Sequence, residues 1–118
     1  MLRSLLRLII KFWISLTAVL LTVIAVTSLI PLPEIPEIPG NDKTLHLLAY
    51  IALSLPSGIA KPKSWWIILP LFFILFSGAI ELIQPFVNRY GEWLDLLANA
   101  SGVLMGTLMG LLTRRWIT

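Results

Sequence analysis

Glu81, His46 and Asp95 are the residues of this chain best suited to acid–base work. Asp42, Lys43, Tyr50, Gln84, Arg89 and Asn99 are the candidates for gripping or orienting a ligand. A carboxylate or an imidazole can serve as a general acid or base near neutral pH. An arginine can hold a phosphate or a carboxylate through two parallel hydrogen bonds. The setting sharpens the case. Glu81, Asp95 and Asn99 lie inside, or at the rim of, runs that otherwise suit hydrocarbon. Polar and ionisable groups are expensive there and mark functional sites by default.

Helical spacing gathers these residues onto faces. Asp42, His46, Tyr50 and Ser54 recur at steps of four, and Lys43 precedes His46 by three, the separations at which side chains on a helix become neighbours. Ser77, Glu81 and Gln84 share a second face at steps of four and three. Asn99, Gly102, Gly106 and Gly110 share a third. The glycine steps are small-xxx-small patterns, which let two helix backbones approach closely.

Composition says what kind of helices these are. The 118 residues are 58% hydrophobic and only 13% charged, with mean hydropathy +0.91. A soluble domain is about 45–50% apolar and about 25% charged. The chain therefore reads as one integral membrane domain, 1–118, with room for about four helices of ~20 residues and no separate soluble domain. The absence of cysteine excludes disulfides, Fe–S clusters and thiol chemistry. A single histidine leaves a structural zinc site without ligands. A metal held by His46, Glu81 and Asp95 is a weaker reading, and neither metal nor cofactor is expected. The chain has no nucleophile elbow, no HExxH, no P-loop and no dinucleotide fingerprint.

The expected spans are about 8–30, 43–60, 64–84 and 94–113. Arg3, Arg7 and Lys11 precede the uncharged run Phe12–Ile30. That run is long for a signal peptide and lacks a clear cleavage site, so it reads as a retained first span. Four prolines in Ile30–Asp42 favour a stiff extended loop outside the membrane. Asn41 or Asp42 suits the N-cap of the second helix, and Asp95 that of the fourth. Pro70 is placed to bend the third. Trp65, Trp66 and Trp116 fall where interfacial aromatic anchors sit. The fold class is all-α, a four-helix transmembrane bundle.

The cations set an orientation. Arg3, Arg7, Lys11, Lys61, Lys63, Arg114 and Arg115 fall on one side of a four-span chain, leaving Lys43 and Arg89 on the other. The positive-inside rule places both termini in the cytoplasm. The net charge of +3 is thus a topology signal, and no nucleic-acid partner is expected. In this orientation His46, Glu81 and Asn99 reach one layer, within about 10 Å of the outer interface.

Taken together, these residues resemble the VanZ-like membrane proteins. Asp42-Lys43-x-x-His46-x-x-x-Tyr50 is similar to that family's first signature and Glu81-Leu-Ile-Gln84 to its second. Arg89, followed by Asp95-x-x-x-Asn99-x-x-Gly102-x-x-x-Gly106, is similar to its third. The resemblance runs from Asp42 to Gly110, a little over half the chain. It departs at the arginine, which has Asn88 before it and Gly91 two residues after it. The family is named for an accessory protein of glycopeptide resistance associated with teicoplanin. The resemblance therefore implies a multi-pass protein of the bacterial inner membrane and names a relative better than a reaction.

Three functional expectations follow. The first is an outward-facing pocket that binds an anionic envelope component, such as a lipid-linked or cell-wall precursor headgroup, and contributes to glycopeptide tolerance or envelope homeostasis. The second is a membrane-embedded hydrolase or transferase with Glu81 or His46 as general base, Asp95 as its orienter and Arg89 stabilising a developing anion. The third is a structural accessory in which Glu81 pairs with Lys43 or Arg89 and the amides lock helices. The lipid bilayer is the one partner common to all three, and the sequence sets no oligomeric state.

Overall fold

In a computed structural model of the chain, residues 1–29, 41–84 and 93–116 are described, with the backbone alone at 41–43 and 93. They form five helices: α1 (Leu2–Lys11), α2 (Trp13–Leu29), α3 (Asn41–Ala60), α4 (Trp65–Ile83) and α5 (Trp93–Arg115). The proline loop and Arg89 lie outside the described residues.

Two helices, Trp65–Ile83 and Leu94–Arg115, are long and apolar enough to cross a membrane. Only 22% of the first window and 33% of the second is buried within the protein. Ile67, Leu71 and Leu75 on α4, and Leu97, Leu104 and Leu108 on α5, face outward. Exposed aliphatic surface on this scale is what a helix facing hydrocarbon presents. The apolar part of α3, Thr44–Ala60, is shorter.

The expected first span over 8–30 is corrected. It is a bent pair, with α1 turned 75° from α2. The break falls at Phe12, whose amide still donates to the Leu8 carbonyl at 3.1 Å. The physical reason lies in α1. Arg3, Arg7 and Lys11 recur at steps of four and are all exposed, while Leu6 on another face is buried. A cationic stripe on ten residues resists hydrocarbon, whereas α2 carries no charge. Counting the bent pair as one span raises the number of candidate spans to three.

The closest packing is between α3 and α5, which run parallel. A Cβ on Gly102 would meet the Leu47 carbonyl oxygen at 2.5 Å. One on Gly106 would collide with Ser54 Oγ, and one on Gly110 would approach Gly58 Cα at 2.8 Å. The α5 glycines thus fit a matching stripe of small residues on α3, Ser54 and Gly58. Pro56 lies inside α3 without ending it, and Pro70 inside α4. Proline costs each helix one backbone hydrogen bond, and neighbouring helices make this tolerable in a membrane.

α4 runs antiparallel to α3 and α5. Lys61 and Ser64, at φ 45° and φ 62°, turn the chain between α3 and α4. A left-handed residue just past a helix end is a common terminator, more often glycine than lysine. Ile24, Tyr50, Leu53, Phe73, Ile80 and Val103 form the apolar core where α2, α3, α4 and α5 meet.

Candidate functional site

The polar interior gathers at the end of the bundle where α3 and α5 begin and α4 finishes. Ser77 is 0%, Asn99 1% and Tyr50 2% exposed. Buried polar groups are stable in such surroundings only when hydrogen-bonded, and these are bonded to one another.

His46 Nδ1 lies 3.0 Å from Asn99 Oδ1. Asn99 Nδ2 donates to Ser77 Oγ at 3.2 Å. Ser77 in turn is hydrogen-bonded to the Tyr50 side chain, and Glu81 is close enough to act on Tyr50 electrostatically. The network crosses from α3 to α5 to α4 and returns to α3. In this amide orientation Asn99 Oδ1 is an acceptor, so His46 Nδ1 carries the hydrogen. The neutral ring then keeps its lone pair on Nε2, which makes no hydrogen bond among the described residues. His46 is half-buried and Glu81 is of intermediate burial, so both reach the edge of the layer.

The structure therefore brings together His46, Tyr50, Glu81 and Asn99, each singled out in the sequence. It adds Ser77 as the link between Asn99 and Tyr50. The signal for Ser77 was its place one turn before Glu81 on the same face. Asp95 is 4% exposed, one turn before Asn99 on α5. The N-cap expected there is corrected: α5 begins at Trp93, so Asp95 sits within the first turn, where a carboxylate favours the positive end of the helix dipole. α3 likewise begins at Asn41, which places Asp42 inside its first turn. The side chains of Asp42 and Lys43, and all of Arg89, lie outside the described residues.

Gln84 is 2% exposed and does separate work. Its Nε2 donates to the Ser28 carbonyl at 3.2 Å, tying the end of α4 to the end of α2. Among the described residues, no group of three His, Asp or Glu side chains converges on a common point. The chemistry the arrangement can supply is thus a half-exposed imidazole held by an amide, a nearby carboxylate and a buried hydroxyl pair.

Comparison of the chain with protein-family profiles, with curated proteins and with solved structures finds no match.

Proposed function

We propose that this chain is a VanZ-like protein of the bacterial inner membrane. In this reading it is a four-span bundle with both termini in the cytoplasm, and its polar end faces outward to bind an anionic envelope component. The component is a lipid-linked or cell-wall precursor headgroup, and binding contributes to glycopeptide tolerance or envelope homeostasis. The observation that carries the reading is the His46–Asn99–Ser77–Tyr50 network beside Glu81, built by three helices at one end of an otherwise apolar bundle. Polar groups collected at one depth serve a ligand better than polar groups scattered along a span. Lys43 and Arg89 supply the cations for a phosphate or carboxylate, and the lysines and arginines at the opposite end supply the orientation.

Glu81→Gln tests the reading, because it keeps size and hydrogen bonding and removes charge. The variant is expected to insert and fold as the parent does, yet to lose its effect on teicoplanin susceptibility and its protection by lipid-linked precursor. Full retention of both would sink a role for the Glu81 charge. A reporter fused after Thr118 should read as cytoplasmic, and an extracellular signal would reverse the orientation.

A second reading rests on one specific contact. Asn99 fixes the His46 ring and leaves Nε2 as its basic nitrogen, the arrangement of a positioned general base. A hydrolase or transferase would then show turnover of a lipid-linked substrate in purified protein, abolished by His46→Gln. A binder shows saturable ligand protection and no turnover.

A further inference from the structure

The opposite end of the bundle carries a second polar arrangement, and it is built differently. A cavity of about 380 Å³ opens there between the ends of α3 and α5 and the start of α4. Its rim holds Lys61, Arg114 and Arg115, its side holds Trp66, and its floor includes Leu108 and Leu112. Among the described residues, no carboxylate lines it. Glu81 and Asp95 stand at the other end of their helices.

We propose that this cavity is a binding site for an anionic phospholipid, with the lipid phosphate at the Lys61–Arg115 rim and one acyl chain along Leu108 and Leu112. The proposal does not depend on the function read at the opposite end, nor on which end faces the cytoplasm.

Three observations point to that occupant. First, two of the three cations are placed by the fold. Arg114 Nη1 donates to the carbonyls of Ile59 and Ala60, both at 2.9 Å, so its guanidinium is anchored at the negative end of α3. The Lys61 ammonium lies 5.4 Å from the centroid of the Trp66 ring, within range of a cation–π contact. Second, the floor is apolar and open to the side. Leu108 is 58% and Leu112 51% exposed on the outward face of α5, a surface that acyl chains cover in a membrane. Third, the two parts adjoin in the right order. Leu108, Leu112 and Arg115 climb the last two turns of α5, a rise of about 10 Å, so an acyl chain lies below its own phosphate. Basic pockets between helices at a membrane surface recognise anionic headgroups in this way. Inorganic phosphate would satisfy the rim and leave the floor uncovered.

Native mass spectrometry of the full chain, released from nanodiscs of equal parts phosphatidylglycerol and phosphatidylcholine, tests the site. One retained phosphatidylglycerol is expected, favoured over phosphatidylcholine by at least about fivefold, the effect of a single basic residue near a charged headgroup. The double variant Lys61→Gln/Arg115→Gln should lower that preference to below about twofold. Arg7→Gln/Lys11→Gln on α1 should leave it unchanged. Leu108→Trp fills the floor without touching a charge and should also reduce retention, so the proposal stays testable if the charge variant fails to fold. Addition of inorganic phosphate should not displace the lipid. Equal retention of the two lipids by the parent chain would overturn the site. So would equal loss in both charge variants, which would indicate a diffuse basic surface, full retention by Leu108→Trp, or displacement by inorganic phosphate.

Discussion

The two ends of this bundle hold their polar groups in opposite ways. At one end, side chains from three helices satisfy one another: His46 with Asn99, Asn99 with Ser77, Ser77 with Tyr50. At the other, cations rest on backbone carbonyls and an indole, as with Arg114 on Ile59 and Ala60 and Lys61 on Trp66. The first arrangement is buried and mutual, so it depends on where every helix sits. The second is a rim of long flexible side chains, two of which, Lys61 and Arg114, have their own local anchors. The difference teaches where specificity can reside. A mutual network has fixed geometry and can discriminate shape, whereas a rim of snorkelling cations selects mainly for charge. Between them runs the glycine-lined contact of α3 with α5, which keeps the two ends in register.

That comparison can be broken at its middle. Gly106→Leu places a side chain against Ser54 Oγ and the Ile51 carbonyl. It should cost about 3 kcal/mol, read as a lower midpoint of unfolding in a denaturing detergent, and it should disturb both ends together. A variant that kept full stability would show that the seam is not closely packed.

Asn99→Leu should act on one end alone. It strips His46 Nδ1 and Ser77 Oγ of a partner and should cost about 1–2 kcal/mol. A double-mutant cycle with His46→Ala measures the direct pair, expected at about 0.6–1.7 kcal/mol. A coupling near zero would mean that the two residues sit side by side without mutual stabilisation.

The other end should respond less, and unequally. Arg114→Gln removes a donor from the last carbonyls of α3 and should cost about 1 kcal/mol. Arg115→Gln, at an exposed position, should stay within about 0.5 kcal/mol of the parent. Equal effects from the two arginines would refute the separate anchoring of Arg114. A change of opposite sign is expected in α4. Gly78 has open space where a Cβ would project, so Gly78→Ala should stabilise by about 0.4–1 kcal/mol. A loss of stability there would reveal a neighbour pressed against that face.

Much of this was legible in the sequence because the bilayer imposes simple rules. The all-α class follows from composition, and the convergence of His46, Tyr50, Glu81 and Asn99 follows from their spacing and from alternating helix direction. The glycines of α5 announced a close approach, although their partner stripe did not: Ser54 was grouped with the polar face of His46 and Tyr50, and Gly58 passed unmarked because a glycine in a short apolar helix carries no distinctive chemistry. The bend at Phe12 was hidden by treating hydrophobicity as a sum. Residues 8–30 are apolar enough for one span, but the periodic charges of Arg3, Arg7 and Lys11 oppose a straight entry. Gln84 was read with the site because it shares a face with Glu81, and the face turns toward α2 at its end.

The parallel pairing of α3 with α5 also constrains the order in which the bundle can be completed. The apolar part of α3 is shorter than α4 or α5 and carries His46, Tyr50, Ser54 and Ser57 toward its neighbours. Its cross-helix partners, Asn99 and the α5 glycines, emerge from the ribosome only after the whole of α4. Until then the Ser54 and Ser57 hydroxyls are satisfied within α3 itself, but His46 lacks its Asn99 partner. The polar packing of α3 is therefore complete only once α5, a helix made two elements later, pairs with it.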